Sequence, residues 1–395
     1  MPKEQYFHRR KQGLFGRALL IYQNDIIKIL IFLDKHRVFL YNIEKLPLQP
    51  AYSVPHKKGK KMTIELIPEA GQFYKVNMHC HTTISDGKQT PEEVKETFKA
   101  HGYDAVCFTD HEVLIGHEEL CDDEFVALHG YEVAIKKDVH SRTALFMPVY
   151  HFNMIAEKQD TRKMPRFYKE NPSFPGNGRE WAEKYGVYDE IIDEVVYDKE
   201  WISDYLKAVR DGGYLITYNH PQWSLQTAYD YIGLEGLHAI EVINGGCVPM
   251  NDNTSLPFEQ MLRAGMNVVP VAGEDNHSAS SCGRVWTMIK APALTYDALI
   301  EGYKAGNCYA TEGPSILSLT IEDGEIVVKT SPVYAITLFS EGRYTPMKRS
   351  SNNDLTEARI PYTPEKFGRY FRIEVRDATG RKAFSRAYYV AEIEA

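Results

Sequence analysis

The 395-residue sequence has only six cysteines, and no two of them form a CxxC pair. That excludes a disulfide framework and makes a reduced, cytosolic compartment the expectation. There is also no long uninterrupted hydrophobic run. The most apolar stretch, Ala18–Leu33, is broken by Gln23, Asn24, Asp25 and Lys28, short of the roughly 18 or more uncharged residues of a membrane-spanning helix. The small-residue cleavage pattern of a signal peptide is missing as well, so neither a membrane span nor secretion is expected. No GxSxG elbow and no P-loop occur, which leaves no serine nucleophile or phosphate-cradling loop of those kinds. Positive charge is not in excess: the formal net charge of −8 argues against a protein that coats nucleic acid, while a local basic pocket for a phosphate stays compatible with it. No strong internal repeat and no low-complexity tract is seen.

What is present is the composition of an ordinary globular protein, 43% hydrophobic and 25% charged, long enough for two or three domains. Its charge is uneven. Residues 1–61 hold 13 Lys/Arg against 4 Asp/Glu, a balance of +9, so the remaining 33 basic and 50 acidic residues balance at −17. Such asymmetry marks a segment with a separate role. It ends in Lys57-Lys58-Gly59-Lys60-Lys61, followed by Met62. Two readings stand side by side: a basic N-terminal extension with one or two strands around Ile27–Tyr41, or a weakly ordered leader before a natural start at Met62.

Residues 62–314 read as one domain. From about Lys75 to Pro314 strands alternate with helices. Val76–His79, Ala105–Thr109, Phe125–Leu128, Ala144–Met147, Tyr214–Tyr218, Ala239–Ile243 and Asn267–Val271 read as strands. Pro91–His101 reads as a helix, with Thr90 as its N-cap, Pro91 in first position and Glu92 and Glu93 in the first turn. Glu200–Arg210, stopped by Gly212-Gly213, and Pro257–Ala264 also carry helical spacing. The alternation favours a parallel α/β sheet or barrel. Residues 150–190 interrupt it with Pro165, Pro172, Pro175, Gly176 and Gly178, and read as an irregular insertion, a candidate substrate-covering lid. After Pro314 the pattern turns β-rich, with Ile316–Ile321, Glu325–Lys329, Tyr334–Phe339, Tyr370–Val375 and Ala387–Ala391 separated by turn signals. Residues 315–395 therefore read as a small antiparallel β-sandwich.

The residues that carry chemistry cluster at the expected strand ends. His79-Cys80-His81 closes the first strand, and residues two apart on an extended chain face one side, so both imidazoles can reach one ion. Asp86 comes next, in the turn Ser85-Asp86-Gly87. Asp110-His111 ends the second strand, and Glu132 comes after the third. His140 precedes another strand, Asn219-His220-Pro221 comes after Tyr214–Tyr218, and Glu274-Asp275-Asn276-His277 after Asn267–Val271. Active sites of α/β proteins assemble at the carboxyl ends of their strands. Imidazole with carboxylate suits Zn, Mn, Fe and related divalent ions. Taken singly, each of these residues could be a cap, a turn or a solvated loop residue.

In order, the stretch VNMHCHTTISDGKQTPEEVKETFKAHGYDAVCFTDH resembles the PHP family, named for polymerase and histidinol phosphatase. The later blocks Gly130-Tyr131-Glu132, His140, Asn219-His220-Pro221, Glu241-Val242-Ile243-Asn244 and Asp275-Asn276-His277 agree. Residues 305–314 look like the end of that domain in two-domain members, so the resemblance covers about 75–314. It implies a distorted (β/α)7 TIM-like barrel with two or three divalent metal ions (Zn, Mn or Fe) at the strand C-termini. Carried over, His79, His81, Glu132 and Asp275 hold one ion and Asp86, His111 and His277 a second. His140 and His220 hold a third, with Glu132 bridging. The sequence departs from the family pattern at Glu274, where a small residue often stands, and in the long 150–190 segment.

The implied chemistry is hydrolysis of a phosphate ester of a small molecule or nucleotide, by a metal-bridging hydroxide attacking phosphorus in line with the leaving alcohol. Asp110 is the candidate for orienting the imidazoles and Asn219 for a polar site contact. Arg142 and Arg284 are candidates to fork onto a phosphate. His117, His129 and His151 read as structural, and Cys80 as a small core residue. Two alternatives stand: a 5′-exonuclease on short oligonucleotides, and a non-catalytic metal-binding module. The expected partner is a small phosphorylated substrate or nucleotide, with no long duplex and no membrane.

Overall fold

The computed structural model describes residues 63–137, 146–170, 174–247 and 255–395, together with the strand segments 4–7, 17–23, 26–34 and 37–42. His140, Arg142, the basic run 57–61 and Met62 lie outside the described residues. The chain divides into two compact units, Met1–Lys60 and Lys61–Ala395. The first contains an antiparallel meander, Glu4–Phe7, Arg17–Gln23, Ile26–Asp34 and Arg37–Asn42, paired in chain order. The sequence suggests one or two strands there. Additional strands are favoured because an isolated hairpin is marginal in water.

The second unit is mixed α/β, built on one large sheet. Strands β1 (Gln72–Asn77), β2 (Ala105–Phe108) and β3 (Val126–Lys136) run parallel. Each residue of β2 is buried, as expected of a parallel strand covered on both faces. Between β1 and β2 lies α1 (Pro91–Ala100). Thr90 Oγ1 accepts from Glu93 N and the Glu93 carboxylate accepts from Thr90 N, a reciprocal capping box. Val94 and Phe98 turn inward.

Strand β4 (Val149–Ala156) breaks the parallel rule. It is antiparallel to both β3 and its other neighbour β5 (Tyr214–Tyr218). Parallel pairing resumes from β5 to β6 (Ala239–Asn244) and β7 (Val269–Gly273). Beyond their last paired residues, β1 and β7 meet. Cys80 and Asn276 form a parallel bridge, with His81 N donating to Asn276 O at 3.2 Å and Asp275 N to His79 O at 3.0 Å. The carboxyl ends of the outermost of these strands are thereby drawn together.

The irregular insertion expected at 150–190 needs correction. Residues 149–156 are β4, buried in the main sheet. A small ordered cap comes after β4. Lys163–Met164 pairs in parallel with Val187–Tyr188, Phe167–Tyr168 pairs with Ile191–Ile192, and α2 (Gly178–Tyr185) lies between. Phe167 and Tyr188 stack at 3.8 Å between centroids. Pro165 ends the Lys163–Met164 strand without preventing order, because aromatic stacking supplies the packing. The strand expected at Ala144–Met147 is likewise displaced to β4; residues 144–145 lie outside the described residues.

On the far side of β1 the sheet continues through β8 (Trp286–Ala291) and β9 (Cys308–Thr311). It then takes in Lys382–Ser385, Tyr370–Arg376, Ala335–Ser340 and Met347–Arg349 from the C-terminal region, with Tyr388–Tyr389 paired to Tyr370–Arg376. A second sheet pairs Leu355–Pro361, Glu325–Val333, Ile316–Glu322 and Thr63–Glu65 in that order. Leu319, Ile326, Val328, Ile336, Leu338, Phe371 and Ile373 form one core. The C-terminal strands are thus continuous with the main sheet instead of standing apart. The expected strand Ala387–Ala391 is a two-residue strand, Tyr388–Tyr389, and then a helical turn, Val390–Ile393. Arg372, fully buried on Tyr370–Arg376, pairs with Glu259 of the helix Leu256–Arg263 and with Glu374. Among the described residues, no helix is long and apolar enough to cross a membrane.

Candidate metal centre

The closure of the sheet gathers residues far apart in sequence. His79 and His81 extend from β1, Glu132 faces inward from β3, and Asp275 lies just past β7. Donor atoms of these four lie at tetrahedral spacing. His79 Nε2 is 3.0 Å from His81 Nε2, 3.4 Å from Glu132 Oε1 and 3.5 Å from Asp275 Oδ1. His81 Nε2 is 3.4 Å from Glu132 Oε2 and 3.1 Å from Asp275 Oδ1. Ligands about 2.0–2.1 Å from a tetrahedral zinc stand roughly 3.3 Å apart, so the donor set fits one divalent ion. The buried Nδ1 of His81 has no hydrogen-bond partner and lies 3.9 Å from Asp86 Oδ1.

A second group joins His81 to Asp86, His111 and His277. Asp86 Oδ1 lies 3.4 Å from His277 Nε2 and 3.9 Å from His111 Nε2. Its side chain is 29% exposed and that of His277 40% exposed, so the centre opens to solvent here. A third group is Glu132, His151 and His220. Glu132 Oε1 lies 3.0 Å from His151 Nδ1 and 3.3 Å from His220 Nε2. Glu132 is common to the first and third groups and also stands 3.1 Å from His111 Nδ1. His151, read from the sequence as structural, therefore belongs to the centre. His140, expected as a ligand, lies outside the described residues.

Burial and charge divide the imidazoles. Burial disfavours the charged form of His79, yet Asp275, Glu132 and Glu241 outweigh it and hold its pKa well above the usual range. The same balance, through bonds to Asp275 and Glu132, raises His81 to about 10. His111 goes the other way, to about 3, because burial and the neighbouring charge of His81 act together. Burial also lowers His151. Glu132 and Asp275 are pushed up by burial but held well below the carboxylate range by the surrounding histidines. Two buried carboxylates facing this many imidazoles form a cluster that attracts positive charge.

The groups behind the ligands differ from those expected. Glu241, on β6, accepts from His79 Nδ1 at 2.9 Å, from His220 N at 3.1 Å and from Asn244 Nδ2 at 2.9 Å. It fixes the His79 ring so that Nε2 points at the ion position. Sequence reasoning places Glu241 in a family block without giving it a role, because a mid-strand acid carries no local signal. Asp110 was expected to orient an imidazole. Instead it accepts from Thr82 N, Thr82 Oγ1, Ser85 N and Ser85 Oγ, at 2.7–3.1 Å. It braces the turn that presents Asp86. Asn219 donates to Glu132 Oε1 at 2.8 Å. Arg284 donates from its guanidinium to the carbonyls of Gly245 and Ser280. The departure at Glu274 is structural: its buried carboxylate accepts from Tyr103 Oη and from Val285 N.

Two candidate ligands sit in left-handed backbone, His220 (φ 21°) and Asp275 (φ 48°). Each such residue costs about 1–3 kcal/mol, a strain usually found where a side chain must be aimed. The cap touches the same region. Asn177 N donates to Ser85 O at 2.8 Å and Asn177 Nδ2 to Thr83 O at 2.9 Å. Gly176, at φ 58°, packs so closely that a Cβ would lie 1.9 Å from Ser85 O.

A mixed α/β unit with histidines and carboxylates converging at its strand ends offers candidate metal-binding groups. Residues 77–209 match the family model described as PHP domain. No curated protein matches. Among solved structures, a two-domain protein from Bacteroides vulgatus containing a predicted PHP-like metal-dependent phosphoesterase is 13% identical, with 84% of this chain and 99% of that one covered and a TM-score of 0.36. A lesion-specific endonuclease from Pyrococcus furiosus is 15% identical, covering 59% and 56%, with a TM-score of 0.37. An amidohydrolase from Chromobacterium violaceum is 14% identical, covering 59% and 96%, with a TM-score of 0.36.

Proposed function

We propose that this protein is a metal-dependent phosphoesterase that hydrolyses a phosphate ester of a small molecule or nucleotide. The observation that carries the reading is the sharing of Glu132. One buried carboxylate stands within 3.0–3.4 Å of His79, His81, His111, His151 and His220, so the candidate ion positions form a single cluster. His79, His81, Glu132 and Asp275 would hold one ion, Asp86, His111 and His277 a second, and Glu132, His151 and His220 a third. Ions clustered in this way lower the pKa of water and neutralise the charge of phosphate oxygens. Glu241 holds the His79 ring, Asp110 holds the Asp86 turn, and Asn219 fixes the orientation of Glu132. Arg284, bonded now to main-chain carbonyls, is the side chain we assign to a phosphate oxygen.

For the architecture we read β1 to β7 as a distorted (β/α)7 TIM-like barrel closed at Cys80–Asn276, and the two C-terminal sheet layers as a β-sandwich fused to it. The described cysteines are all unpaired, which supports a reduced, cytoplasmic setting. The test is to strip the protein with EDTA, reload it with Mn, and assay phosphomonoesters and short oligonucleotides. Hydrolysis of phosphomonoesters is expected, and its absence across the whole panel defeats the reading. His79→Ala should lose both metal content and activity.

A further inference from the structure

Trp223 is a large apolar side chain left 41% exposed against the candidate metal centre. Its indole meets the His220 ring edge to face, centroids 5.0 Å apart, and the His151 ring at 5.4 Å. Both imidazoles converge on Glu132. The loop that carries it is tightly held. Ser224 N donates to His220 O at 3.1 Å, Gln226 N to Pro221 O at 3.0 Å, and Val149 N to Ser224 O at 3.2 Å. His220 at φ 21° and Leu225 at φ 55° both lie in the left-handed region, on either side of Trp223. Backbone strain of this kind persists where the arrangement it produces is used.

The centre is thus bordered by different chemistry on two sides. Asp86 and His277 make one side polar and solvent-facing. On the other, an indole extends from the third ligand group. A phosphate bound by the cluster must direct its ester substituent away from the ligands, and the indole offers that substituent a flat apolar surface. Aromatic rings gain from such contact in a way that alkyl chains do not.

We propose that Trp223 is a stacking platform that selects phosphate esters carrying a planar group, an aryl ring or a nucleobase, over aliphatic ones. The proposal rests on the phosphoesterase reading and narrows its substrate class.

Phenylphosphonate and methylphosphonate test it, since they share the phosphonate head and have no ester bond to be consumed. Calorimetric titration into the Mn-loaded protein should show phenylphosphonate binding about tenfold more tightly. Trp223→Ala should bring that ratio close to one, and Trp223→Phe should keep part of it. Equal affinities in the unsubstituted protein overturn the platform, as does a Trp223→Ala variant that weakens both ligands alike and leaves the ratio unchanged. If neither phosphonate binds and p-nitrophenyl phosphate is not hydrolysed, the phosphoesterase reading fails and the platform fails with it. Binding without discrimination removes the platform alone.

Discussion

Loading a divalent ion at His79, His81, Glu132 and Asp275 should expel protons, in a number the structure sets. Free of an ion, His81 titrates at about 10 and His79 also well above the ordinary imidazole range. His79 Nε2 and His81 Nε2 share one hydrogen bond at 3.0 Å, so only one of the two carries a proton there, and a metal ion, which binds unprotonated nitrogen, must displace it at pH 7. For His81 the three pH units between 7 and 10 amount to about 4 kcal/mol, at about 1.36 kcal/mol per unit. Apparent affinity should rise about tenfold per pH unit for the one proton expelled, between pH 6.5 and 9. The assay is calorimetric titration of Zn or Mn into EDTA-stripped protein, in buffers of different ionisation enthalpy. About one proton should leave with the first ion. The same shifts fix the sign for stability. A raised imidazole pKa stabilises the ion-free fold fully below about 6.5 and loses that contribution as the pH climbs to about 10. Glu132 and Asp275, depressed, contribute above the ordinary carboxylate range and lose it as the pH falls. The stripped protein should therefore melt at progressively lower temperature from pH 7 to 10. Ion binding that releases no protons, with affinity flat from pH 6.5 to 9, would refute the reasoning.

Three further outcomes are expected. His151→Ala should remove metal and lower phosphatase activity by roughly 100-fold or more, beyond the 10–100-fold typical of groups that only orient a ligand; full metal content and activity in that variant would return His151 to a structural role. Asp110→Ala leaves two buried donors, Thr82 N and Thr82 Oγ1, without an acceptor, while Ser85 N and Ser85 Oγ keep Thr82 O and Asp86 Oδ1, at about 1–3 kcal/mol for each of the two if neither finds water. It should lower both the melting temperature and metal affinity at Asp86, and an unchanged melt would contradict the bracing role. Arg372→Met strands Glu259 without its buried partner and should cost about 3–5 kcal/mol in denaturant unfolding, while Arg372→Met combined with Glu259→Leu should recover most of it; a single variant as stable as the parent would show that the pair does not hold these elements together.

Much of the centre is legible in the sequence because ligands at parallel strand ends leave a local trace. His79 and His81 alternate on one extended segment, Asp86 sits in a turn signal, and His111, His220, Asp275 and His277 come after short apolar runs. The helix at Pro91–Ala100 is equally legible, since its cap, proline and acidic first turn are adjacent in sequence. His151 leaves no such trace. It is the third residue of β4, and β4 runs against its neighbours, so the start of that strand, and not its end, reaches the ligand-bearing rim. Glu241 is obscured for a related reason: it lies within a strand that continues past it.

The sequence by itself determined which residue types were available and where many of the strands and helices form, because alternation, caps and turns are local. Only the tertiary structure decided which side chains share an ion position and which merely brace a ligand. Strand direction and the closing contact between Cys80 and Asn276 are set by contacts between residues nearly two hundred positions apart. A few ångströms of separation distinguish Asp110, which holds a turn, from Asp275, which faces the imidazoles, and no local pattern encodes that distance.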